Sequence, residues 1–95
     1  MQNRPRTVGD VLAELLQQYG LMDRLKEFDA VNCWADVVGE KIAEHTKAKD
    51  VRDGALVVEV SGSAWRNELY YLKPDIIEKI NKRIGKKIIH DIMLI

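Results

Sequence analysis

The sequence predicts an α+β fold, a helical N-terminal region followed by a three-stranded sheet with helices on one face. Three observations carry this. Apolar residues recur at helical spacing from Val8 to Tyr19 and again from Leu25 to Val38. The period then changes to two, with Leu56, Val58 and Val60 alternating after an Asp53-Gly54 turn signal. A further helical stretch leads to an isoleucine-rich end, Ile92-Met93-Leu94-Ile95, that suits a closing strand buried on much of both faces.

The first helix is expected over Thr7 to Tyr19. Val8, Val11, Leu12, Leu15, Leu16 and Tyr19 form one stripe, Thr7 is placed to cap, Asp10 suits the positive end, and Gly20 suits the stop. Leu21 to His45 reads as helix in pieces: Leu25, Phe28, Val31, Trp34 and Val38 step by three or four, then Gly39 interrupts before Ile42 and Ala43. Lys47 to Val51 reads as a polar edge strand, where lysines discourage edge pairing. Arg52-Asp53-Gly54 supplies a tight turn, and Leu56 to Val60 the strand after it. Ser63 is placed to cap the next helix, whose stripe is Trp65, Leu69 and Leu72. Proline disfavours helix at the residue before it and is welcome in a first turn, so Lys73-Pro74 predicts a joint between two helices. The second of these runs to Ile84, with Gly85 ending it, and Lys86 to Ile95 forms the last strand. The order after the N-terminal helices is therefore β-β-α-α-β.

Ninety-five residues make one small domain, expected over residues 1–95 with 1–6 as a flexible arm. No apolar run is long enough to span a bilayer, and Met1 to Arg6 has no apolar core of the kind a secretory signal needs. The single cysteine, Cys33, cannot form an internal disulfide, which fits a reducing cytoplasm.

Net charge is zero, but its distribution is uneven. Residues 1–45 hold five Lys/Arg against eight Asp/Glu, and residues 46–95 hold ten against seven. Lys79, Lys82, Arg83, Lys86 and Lys87 follow one another with no acid between them. Together with Lys47, Lys49 and Arg52 on the first strand, and Arg66, they form the candidate polyanion surface, whose phosphate contacts would be sequence-blind and salt-sensitive. The competing reading is a solvated helix face. Trp34 and Trp65 fall on apolar stripes, which favours core packing. Trp65, beside Arg66 and near Tyr70 and Tyr71, is the one candidate for stacking on a base or contacting a partner.

An enzyme reading finds no purchase. His45 and His90 lack partners at metal-ligand spacing, Cys33 next to Trp34 reads as a small buried residue, and no phosphate-binding loop or nucleophile elbow occurs. No metal, cofactor or small-molecule substrate is expected.

One order of residues is more telling than any single motif: Trp34, Val38-Gly39, Ile42-Ala43, His45-Thr46, Asp53-Gly54, Leu56 to Val60, then Ser63, Trp65, Glu68-Leu69 and Leu72. This order resembles the bacterial DciA family of replicative-helicase loader or operator proteins, from about Val8 to the C-terminus. The resemblance implies a KH-like fold, and the α-β-β-α-α-β order looks like the type II KH arrangement. It implies a DNA-replication accessory protein of the cytoplasm that binds the replicative helicase and single-stranded or forked DNA. Longer members carry an extended tail beside this domain, for which no counterpart is expected here. The Gly-x-x-Gly clamp by which KH domains grip a nucleic-acid backbone is absent: Leu72-Lys73-Pro74-Asp75 stands in its place, without glycine and with an added acid. Two other functions fit the residues. One is a protein-only adaptor, suited by Asp10, Glu14, Asp23, Glu27, Asp29, Asp36, Glu40 and Glu44; the other is an RNA-binding KH-like module.

Overall fold

The computed structural model describes residues 6–95. The expected arm over residues 1–6 falls outside these, apart from Arg6, whose guanidinium pairs with Glu14. The elements are α1 (Val8–Gln18), α2 (Leu21–Asn32), α3 (Trp34–Val38), α4 (Glu40–Ala43), β1 (Thr46–Arg52), β2 (Ala55–Val60), α5 (Ser63–Ile84) and β3 (Asp91–Leu94). The α+β class is as expected. β2 is central, antiparallel to β1 and parallel to β3. Parallel strands need a long crossover, and α5 provides it.

The start of α1 follows from sequence. Thr7 accepts from the Asp10 N–H at 3.0 Å while Asp10 accepts from the Thr7 N–H at 3.2 Å, a reciprocal cap that satisfies two otherwise orphaned donors. Gly20, at φ +71°, closes the helix in the left-handed conformation. The β1–β2 turn also follows. Asp53 and Gly54 have φ of +50° and +81°, the positive pair that matches a two-residue hairpin to strand twist. Gly54 is needed twice over, because a Cβ there would lie 2.8 Å from His90 Cδ2.

The core lies between one face of the sheet and the helices. Val51, Leu56, Val58, Val60 and Ile92 from the strands meet Ala30, Trp34, Leu69, Ile76 and Ile80 from α2, α3 and α5, and Cys33 from the break between α2 and α3. Each fully buried aliphatic side chain contributes on the order of 1.5–3 kcal/mol. Val57 points to the opposite face, opposite Asp50 and Met93 across the ladders. A bulge between Ala48 and Asp50 restores the inward aim of Val51.

Four expectations need correction. There is no joint at Lys73-Pro74, so β-β-α-α-β becomes β-β-α-β: α5 is one helix of 22 residues with Pro74 inside it. Proline removes the N–H that would bond to the Tyr70 carbonyl, but packing of Leu69, Ile76 and Ile80 on both sides of it holds the helix together. Ser63 does not cap α5; the cap position is Gly62, with no side-chain bond. The stripe from Leu25 to Val38 is not one face, because the helix breaks at Cys33: Trp34 is buried, whereas Leu25 and Phe28 are exposed. The last strand is shorter than Lys86 to Ile95. Ile88 and Ile89 are buried from a non-strand crossing held by Asn81, whose amide donates to the Ile89 carbonyl at 2.8 Å and accepts from the Ile88 and Ile89 N–H groups at 3.1 and 2.9 Å.

Candidate nucleic-acid interface

The residues from Gly85 to His90 run beside the C-terminal half of α5 and leave an open groove of about 850 Å³. Pro74, Ile77 and Ile89 give it an apolar floor, and Lys82, Lys86, Lys87 and His90 stand along it, with Glu78 the one acid. Its wall is fixed by the Asn81 bonds and by the His90 N–H, which donates to the Gly54 carbonyl at 2.7 Å. A row of cations along an open groove suits a chain that carries phosphates.

The structure brings only part of the candidate set to this groove. Lys82, Lys86 and Lys87 line it, whereas Lys79 pairs along α5 with Asp75 at 3.1 Å. Arg83 turns toward α3 and pairs with Asp36 at 3.1 Å. Lys86 also reaches Asp23 of α2 at 2.6 Å. Lys47, Lys49 and Arg52 lie on β1, whose principal contacts are with β2, α2 and α4. Lys49 lies 3.6 Å from Glu59 and Arg52 3.8 Å from Asp50. Arg66 donates to the Ile95 carbonyl at 3.3 Å, beside the end of β3. Among the described residues, Lys47, Lys82 and Lys87 are the candidate cations with neither an ion pair nor a side-chain hydrogen bond. The pairs of the others are exposed and worth at most about 1 kcal/mol, so a polyanion can displace them.

The two tryptophans differ. Trp34 is 3% exposed, and its indole N–H donates to Thr46 Oγ1 at 2.9 Å. Trp65 is half-buried against the core and stacks on His45, ring centroids 5.0 Å apart and 19° from parallel. One face of the Trp65 ring is therefore already covered.

Cys33 is buried and its thiol donates to the Ala30 carbonyl. Burial pushes that thiol up from its ordinary value, with Arg83 acting in the opposite direction. Among the described residues no three His, Cys, Asp or Glu side chains converge as a metal site, and no helix is long and apolar enough to cross a membrane.

Asn81 and His90 escaped the sequence reading. Asn81 bonds backbone seven and eight residues ahead, beyond the reach of helix or strand periodicity, and His90 meets Gly54 across the fold, a contact that no spacing rule signals.

The described residues thus form an α+β domain with a lysine-lined groove beside α5. The chain belongs to the DciA family: the family model described as "Dna[CI] antecedent, DciA" matches residues 7–94. Among curated relatives, a UPF0232 protein of Mycobacterium tuberculosis (strain ATCC 25618 / H37Rv) is 28% identical over 90 residues, covering 95% of this chain and 48% of the relative. A UPF0232 protein of Rhodococcus jostii (strain RHA1) matches to the same extent. One from Corynebacterium glutamicum (strain R) is 26% identical over 88 residues, 93% of this chain and 49% of the relative. The chain thus spans about half the length of the curated relatives it matches.

Proposed function

We propose that this chain acts as a single-domain, non-enzymatic accessory factor of DNA replication, binding the replicative helicase and single-stranded DNA so that each is brought to the other. Membership of the DciA family supports the replication role. The observation that carries the DNA half is the groove in which Lys82, Lys86 and Lys87 stand over Pro74, Ile77 and Ile89. The strand lies along this groove with phosphates at the lysines. Lys79 and Arg83 extend the field from the same helix, and Lys47, Lys49, Arg52 and Arg66 form secondary contacts. Holding helicase and strand on one small domain raises the local concentration of each for the other.

The test is fluorescence anisotropy of labelled single-stranded DNA against the wild type and the triple variant Lys82→Gln, Lys86→Gln, Lys87→Gln. Lost affinity with retained fold supports the groove. Unchanged affinity removes it, and a loss seen only on replacing Lys47, Lys49 and Arg52 moves the site to β1.

A further inference from the structure

Two cations of the basic run are held by carboxylates from elsewhere in the fold. Lys86 lines the groove, yet its ammonium lies 2.6 Å from a carboxylate oxygen of Asp23, in the first turn of α2. The Arg83 guanidinium donates to Asp36, in the first turn of α3, at 3.1 Å. The partners stand 63 and 47 residues apart in sequence, so neither pair follows from helix spacing, as that of Lys79 with Asp75 does. Both α2 and α3 pack against α5, which keeps the two acids beside the basic residues. Lysine and arginine bind carboxylate and phosphate oxygens through the same kind of charge-assisted hydrogen bond.

We propose that Asp23 and Asp36 compete with the DNA strand for the basic run, each carboxylate standing on its cation where a phosphate would stand. The inference rests on the reading of the groove as a DNA site and adds the two acids that set its affinity. Lys82 and Lys87 carry no ion pair among the described residues and meet the strand first. Lys86 and Arg83 join only when their carboxylates are displaced. All four paired side chains are 52–69% exposed, so both pairs sit in solvent and can open. Exposed pairs of this kind are weak, and displacing each one lowers the affinity for the strand by about two- to fivefold. The acidic N-terminal half thereby holds the affinity of the basic half below what its five successive cations would otherwise give.

Anisotropy of labelled single-stranded DNA at low salt tests this, with the wild type, Asp23→Asn, Asp36→Asn and the control Glu40→Gln, which removes the same charge from α4. The three positions are exposed, so the fold is kept, and far-UV circular dichroism checks it. Asp23→Asn and Asp36→Asn should each tighten binding by about two- to fivefold, and Glu40→Gln by less. Lys86→Gln and the double variant Asp23→Asn/Lys86→Gln complete a double-mutant cycle. Without Lys86 the gain from Asp23→Asn should shrink to that of the control, whereas a general effect of net charge would persist. A gain that is the same with and without Lys86, or no larger than that of Glu40→Gln, overturns the proposal and leaves the groove as a DNA site. If neither the wild type nor Asp23→Asn/Asp36→Asn binds the strand, the DNA reading of the groove falls, and the proposal with it.

Discussion

The indole of Trp34 donates to Thr46 Oγ1 at 2.9 Å, and that hydroxyl donates onward to the Ile42 carbonyl at 2.8 Å. One threonine thereby ties α3 and α4 to the first residue of β1. A buried indole N–H left without a partner costs about 1–3 kcal/mol. Thr46→Val is therefore expected to lower unfolding free energy by about that amount, and Thr46→Ser to retain most of it, as read by urea denaturation. Equal stability of the two variants would mean that the hydroxyl contributes nothing.

Gly54 and His90 form a second tie, between the hairpin turn and the entry to β3. Gly54→Ala adds a left-handed non-glycine residue, about 1–2 kcal/mol, and a contact of 2.8 Å with the imidazole. Substituting His90→Ala in that background relieves the contact and leaves the backbone cost. Denaturation of the two single variants and the double variant should give a coupling energy of about 0.5–3 kcal/mol, whereas strict additivity would place the whole cost in the backbone.

Pro74 gives the opposite sign. It sits within α5, removes one backbone bond and crowds the Tyr70 carbonyl. Pro74→Ala should raise the melting temperature, with a gain of up to about 3 kcal/mol, the ordinary cost of proline inside a helix. A lower melting temperature would show that the proline ring contributes packing to the groove floor that outweighs its backbone cost.

Cys33 should be inert. Its thiol is buried, and burial raises its pKa, so little thiolate exists near neutral pH. Raising the pH increases the thiolate in the unfolded chain before it does so in the folded one. Labelling with an alkylating reagent should accordingly be slow in the native protein and fast in denaturant, and fast native labelling would place the thiol at the surface.

Much of this fold was legible because local chemistry decided it. The Thr7–Asp10 cap, Gly20, the Asp53-Gly54 turn and the Leu56–Val60 alternation each follow from rules that act within a few residues. Pro74 misled because local preference favoured a helix start, while the tertiary packing of Leu69, Ile76 and Ile80 carried the helix through. Periodicity showed that α1 is amphipathic but not that its stripe stays exposed in the fold. The charge asymmetry was visible, but part of it is satisfied internally. Asp23 and Asp36 of the acidic half meet Lys86 and Arg83 of the basic half, a pairing across 63 and 47 residues that no spacing rule foresees.

The most direct test of the bridging role is the anisotropy of labelled single-stranded DNA titrated with this protein at two salt concentrations, with and without the host's replicative helicase. Weak binding that falls with salt and tightens when helicase is present is the expected result. Each groove lysine replaced by glutamine should reduce the log–log salt slope by about 0.7. Helicase association with no DNA affinity at either salt concentration would contradict the bridging role and leave a protein-only adaptor.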